Sequence, residues 1–173
     1  RCLSDWSSDV CSSDLAMTSR NILKKITLNI TARTHVRSTQ GDRIFFRIPR
    51  NKLKPAGLAR LKRLEQYNDY KASLLTIARK EKASFPEQGL EIIFYLPVPK
   101  SWSQWKKKHH HMKGHASKPD LSNLLKALED GLLKEDKMIF NYAGLTKKWV
   151  NQERGYIEFI YHLPSVGSSD VLM

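Results

Sequence analysis

Apolar and polar side chains alternate through residues 25–36, where Ile26, Leu28 and Ile30 take turns with Thr27, Asn29 and Thr31. A period of two puts one set on each face of an extended chain, so this stretch is predicted as a strand. Residues 43–48 (RIFFRI) repeat the rhythm, and Ser38-Thr39-Gln40-Gly41-Asp42 between them has the composition of a turn. Together they predict a β-hairpin closed by Pro49. From Pro55 the period changes: Leu58, Leu61, Leu64 and Tyr67, then Leu74, Leu75, Ile77 and Ala78, recur at helical spacing and predict one long helix over residues 55–82. Residues 90–96 (LEIIFYL) form a strand-length apolar run, predicted as a central strand and stopped by Pro97 and Pro99. A basic loop over 100–118 leads to a second helix over 120–134. Residues 138–142 and 145–150 look extended, and 155–163 alternate as a final strand. Strands and helices are both present without a βαβα rhythm. The expected fold is therefore α+β, a single domain with helices packed on a mixed or antiparallel sheet.

Composition narrows the function classes. With 173 residues, 40% of them hydrophobic, the chain can bury a core and lacks the composition of disorder. No stretch approaches the ~18 consecutive apolar residues of a membrane span, so no membrane partner is expected. Thirty Lys and Arg against seventeen Asp and Glu leave a net charge of +13, which favours an anionic partner, nucleic acid first. A basic ribosome-associated protein is the bland alternative. Cys2 and Cys11 are the only cysteines; they offer neither zinc spacing nor a disulfide framework, and a reducing cytoplasm fits. Both lie in residues 1–15 (RCLSDWSSDVCSSDL), a Ser/Asp-rich, internally repetitive stretch with no apolar signal core. Its codons can resemble a sequencing adapter. The expectation is a non-native or disordered leader over 1–16, a domain over 17–164 and a loose tail over 165–173. Losing the leader's one arginine and three aspartates raises the net charge from +13 to +15.

The densest chemistry lies in Lys118-Pro119-Asp120-Leu121-Ser122-Asn123-Leu124-Leu125-Lys126, followed by Glu135-Asp136. Leu121, Leu124, Leu125, Leu128 and Leu132 make one stripe on a helix and must face the core. Asn123, Lys126 and Asp130 project from the opposite side. Asp120 falls at the helix start, where the dipole favours its anionic form. Glu135 and Asp136 follow the helix and could return to the same side. Hard oxygen donors in this number suit Mg²⁺, which needs only one or two protein carboxylates. Such an ion, with a nearby lysine, suits phosphodiester hydrolysis. The same residues also read as a helix cap followed by an acidic turn.

These residues resemble the RusA-type Holliday-junction resolvases, endodeoxyribonucleases of phage and prophage origin. The family pattern runs approximately K-P-D-x-D-N-L-x-K-A-x-x-D-x-L, then an acidic pair. The chain reads Lys118-Pro119-Asp120-Leu121-Ser122-Asn123-Leu124-Leu125-Lys126-Ala127-Leu128-Glu129-Asp130-Gly131-Leu132, then Glu135-Asp136. The resemblance implies a homodimer that cuts four-way or branched DNA with Mg²⁺, for which Mn²⁺ is a substitute. It implies that Asp120 and Asp136 hold the metal and that Lys126 is the catalytic lysine. Asn123 supports the site, and Glu135 and Asp130 are further metal candidates. Ser122 departs from the pattern, since the family has Asp there. A hydroxyl is a neutral, weaker Mg²⁺ ligand. Three explanations compete: a copy that binds junctions with weakened or no cleavage, compensation by Glu135 or Asp130, or an error in the sequence.

Basic residues elsewhere are candidate phosphate contacts: Arg33, His35 and Arg37 alternating after the first strand, Lys106, Lys107, Lys108 and Lys118 in the basic loop, and Lys147 and Lys148 beside Trp149. Trp102 and Trp105 suit either base stacking or anchoring of the loop to the core. His109-His110-His111 with His115 raises zinc, but three adjacent histidines seldom converge on one ion and no cysteine helps.

Overall fold

The computed structural model of the chain describes residues 22–86, 89–133 and 141–162. The leader, the tail after 162, Glu135, Asp136 and most of the 138–142 stretch lie outside the described residues. Four strands form one mixed sheet in the order β1-β4-β2-β3: β1 (Ile22–Leu28), β2 (Leu90–Pro97), β3 (Tyr142–Val150) and β4 (Tyr156–His162). β4 runs antiparallel to both β1 and β2, whereas β2 and β3 are parallel. The apolar run predicted as a central strand is β2, buried along almost its whole length. Ile92, Phe94 and Leu96 face the helices, while Ile93 and Tyr95 face the other side with Val150. Burial on both faces explains why β2 reads as continuously apolar.

The helices are α1 (Asp42–Phe45), α2 (Pro55–Lys80), α3 (Gln104–His110) and α4 (Leu121–Leu132). Pro55 occupies the first turn of α2, where its missing N–H costs nothing. Leu61, Leu64, Tyr67, Tyr70, Leu74 and Ala78 of α2 are buried, and the last four pack with Leu124, Ala127 and Leu128 of α4 against Ile26, Leu28, Ile157 and Phe159 of the sheet. The leucine stripe of α4 therefore faces the core as its spacing requires. Leu58 departs from its predicted face and is exposed.

Three sequence expectations are corrected. Residues 43–48 are not the second arm of a hairpin; α1 takes the first half of that segment and a turn the rest. Asp42 accepts from the Thr39 N–H at 2.7 Å and from Arg60 of α2, Nε to Oδ1 at 3.0 Å and Nη2 to Oδ2 at 2.8 Å. That ion pair fastens the turn to α2 and overrides the weaker strand preference of RIFFRI. β1 also ends at Leu28 rather than near 36. Its last partner is Ile157, one residue inside the end of β4, so only Tyr156 of that strand lies beyond the pairing. The chain crosses to α4 instead, where the His35 N–H donates to the Asn123 carbonyl at 3.0 Å. The 100–118 region is likewise no plain loop, since Ser103 caps α3 by accepting from the Lys106 N–H.

Candidate nuclease site on helix α4

The start of α4 is set by β3. Lys147 and Trp149 share the helix-side face of β3 with Leu145, opposite Phe94, Leu96 and Ile92 of β2. Lys147 Nζ donates to the carbonyls of Ser117 at 2.5 Å and Pro119 at 2.6 Å, and the Lys118–Pro119 peptide is cis. Asp120 follows in extended backbone at the N-cap, and its carbonyl accepts from the Leu124 N–H. An N-cap aspartate ordinarily turns its carboxylate back onto the first turn. Here the side chain makes no capping bond; it is exposed, with Asn123 Nδ2 at 3.5 Å from Oδ2. Ser122 and Asn123 are exposed beside it.

About two turns beyond Asn123, Asp130 gathers three side chains. Lys126 Nζ lies 3.5 Å from Oδ1, His35 Nε2 lies 3.1 Å from Oδ2, and the Tyr67 hydroxyl donates to Oδ2 at 3.2 Å. His35 stands edge-on to the Tyr67 ring. Burial, reinforced by the Asp130 charge, pushes the Tyr67 phenol well above its ordinary range and keeps it a donor. Asp130 thus ties the segment after β1 and the middle of α2 to the lysine on α4. His35 lines one surface cleft with Lys118, Asp120 and Asn123, and another with Asp42, Tyr67 and Asp130. Nothing in the local sequence announces Tyr67, which lies 63 residues from Asp130.

The remaining basic candidates are placed as follows. Arg33 and Arg37 are exposed, and the Arg37 carbonyl accepts from Arg60. Lys118, Lys106 and Lys108 are exposed; Lys106 Nζ sits 4.3 Å from the Trp102 ring centroid, and Lys107 donates to the Lys100 carbonyl at 3.0 Å. Lys148 pairs with Gly114 in an antiparallel bridge. Around it, the Met112 and His115 N–H groups donate to the carbonyls of Trp149 and Lys147, closing the outer edge of β3. The four histidines of the zinc alternative diverge. His109 stacks on Trp105, His110 lies on Trp102, His111 Nδ1 accepts from the Asn151 N–H, and His115 is buried on Trp149. Burial pushes the His115 imidazole pKa down, with Lys147 adding to the effect. Among the described residues no three His, Cys, Asp or Glu side chains converge as metal ligands. Glu135 and Asp136, the acidic pair of the motif, lie outside the described residues.

The chain matches the sequence model of endodeoxyribonuclease RusA over residues 48–158, more than half its length. The matched span holds the whole of β2, α3, α4 and β3, including Asp120, Asn123, Lys126, Asp130 and Asp136, and leaves Arg33, His35 and Arg37 outside. No curated protein matches the chain. With its mixed sheet, its basic charge and the acidic and lysine positions of α4 inside the matched span, the chain belongs to the RusA endodeoxyribonuclease family.

Proposed function

We propose that the protein is a structure-selective endodeoxyribonuclease that opens four-way DNA junctions by Mg²⁺-dependent phosphodiester hydrolysis, in recombination and repair. Membership implies a nuclease of the Holliday-junction-resolving kind. One observation carries the reading to particular residues: α4 buries Leu124, Ala127 and Leu128 while exposing Asp120 and Asn123 beside Lys126, with the Asp120 carboxylate not used as a cap. An exposed, dipole-stabilised carboxylate is a suitable hard donor for Mg²⁺, which takes one or two from protein; Asp136 is the second in this reading. When bound, Mg²⁺ or Mn²⁺ supplies an activated water and counter-charge at the phosphate. Lys126 neutralises charge growing on the non-bridging oxygens as the P–O bond breaks. Asn123 steadies Asp120, and Lys147 holds the turn that presents it. The exposed lysines and arginines bind phosphates and set no base preference. The two-fold symmetry of a junction makes a C2 homodimer the natural assembly for paired nicks.

Ser122 supports a second reading, a junction-binding protein with weak or no cleavage. A synthetic four-way junction and a linear duplex, each incubated with Mg²⁺ or Mn²⁺, test both. The nuclease reading expects nicks in the junction alone, lost in Asp120→Asn with junction binding retained. Ser122→Asp is expected to raise nicking at limiting Mg²⁺ by about 10- to 100-fold, the usual scale for repairing a metal site's surroundings. Selective binding without nicks from the wild type, with cleavage restored by Ser122→Asp, would establish the second reading. Failure to prefer the junction would end both.

A further inference from the structure

Helix α3 sends its two tryptophans to opposite fates. Trp102, just before the Ser103 cap, folds inward with its ring 5.1 Å from Trp149. Trp105, in the first turn, is 73% exposed, the most exposed large apolar side chain among the described residues. Tryptophan is highly buried on average, and leaving an indole in water forgoes a large burial gain. The exposed ring is also stacked: His109, one turn on, lies 9° from parallel at 5.1 Å between centroids. Lysines accompany the pair: exposed Lys106 and Lys108 lie between the two rings in sequence, and Lys113 Nζ is 3.1 Å from His109 Nε2.

The mount is rigid. Ser103 caps the helix, Lys107 ties it to the Lys100 carbonyl, and the segment after it is hydrogen-bonded to β3 through Met112 and His115. Trp149, which receives Trp102, stands on the same face of β3 as Lys147, which holds the turn before Asp120. One strand face therefore supports both the exposed indole and the candidate nuclease site. A flat aromatic surface with an ammonium group at its edge, on a lysine-rich helix, recognises a partner with an open π-face beside an anion. That description fits an unpaired nucleobase on its phosphate backbone; in a duplex the base faces are covered by their neighbours.

We propose that Trp105, backed by His109, is a stacking platform for an unpaired base at the branch of the DNA substrate. This rests on the reading of branched DNA as substrate. The test uses the full chain without divalent metal, a four-way junction carrying 2-aminopurine at the crossover, a single-stranded oligonucleotide and a linear duplex. Trp105→Ala is expected to weaken junction and single-strand binding about 5- to 100-fold and to abolish the 2-aminopurine response, with duplex affinity unchanged. Trp105→Phe keeps most of the affinity, since any π-face stacks. Lys106→Gln with Lys108→Gln instead flattens the salt dependence on every DNA. Equal binding by Trp105→Ala and wild type overturns the platform. So does an equal loss on junction and duplex, or conversion of a dimer to a monomer by Trp105→Ala in sedimentation, which would assign the indole to a second copy of the chain. If the wild type does not prefer the junction, the substrate reading fails, and the single-strand result still decides the platform.

Discussion

Asp130 shows how a carboxylate's neighbours define its work. Both of its oxygens face protein donors, Lys126 on one side and His35 with Tyr67 on the other. Asp120 is the contrast, with a side chain that makes no capping bond and is exposed. In the nuclease reading Asp120 holds the ion, while Asp130 is a positioning residue that fixes the Lys126 ammonium and the His35 ring. Asp130→Asn keeps the shape and removes the charge. Nicking by this variant is expected to fall about 10- to 100-fold, as is usual when a supporting partner of a site is removed. Junction affinity and the Mg²⁺ concentration for half-maximal rate should stay put. A raised Mg²⁺ requirement would make Asp130 a ligand instead.

At the scale of elements, α4 is held by α2. Gly131 marks the closest approach: a Cβ built there would stand 2.8 Å from Leu74 Cδ2, and Leu74 is fully buried. Alanine would gain about 1 kcal/mol of helix propensity at this position. Overpacking a filled core costs about 1–3 kcal/mol, so the clash outweighs the gain. Gly131→Ala is expected to lower the urea midpoint with an unchanged slope, by about 1 kcal/mol in free energy. Gly131→Ala with Leu74→Val should recover part of the loss; no recovery would place the strain elsewhere. The short helices follow the same logic of partners over propensity. α1 exists where Asp42 meets Arg60, and α3 where Ser103 caps a basic stretch anchored by Trp102.

For the whole molecule, charge sets both partner and stability. A net charge of +13 favours polyanions, and DNA binding is expected to fall steeply with salt. Among the described residues no helix is long and apolar enough to cross a membrane. Against that excess of cations, Asp42 is buried on Arg60, whose guanidinium, with the Thr39 N–H, holds its carboxyl far below the usual value of 3.8. A folded-state pKa below the unfolded one means that the pair stabilises the fold above pH 3.8, and that this contribution fades as pH falls below it toward the lowered folded value. Arg60 stays charged throughout, so only the carboxylate titrates. Thermal melts of wild type and Asp42→Asn should therefore differ most at neutral pH and converge as the pH drops below 3.8. A constant gap down to the most acid melts would show that Asp42 contributes through packing alone.

The sequence by itself determined whatever depends on a repeat within one element. The leucine stripe chose the buried side of α4 and so exposed Asp120 and Asn123, the apolar run located β2 inside the sheet, and the motif around Asp120 carried the family. Burial of a face leaves a periodic mark because every residue on that face obeys the same solvent rule. Only the tertiary structure decided which polar groups meet: Asp130 with Tyr67 and His35, Asp42 with Arg60, Lys147 with the Pro119 carbonyl. Such pairs join residues far apart in the chain, chosen by how the helices settle on the sheet, and leave no local period. The same packing turned the first half of RIFFRI from a strand pattern into α1, and it separated Trp102, whose neighbour Trp149 draws it inward, from Trp105, which stays in solvent.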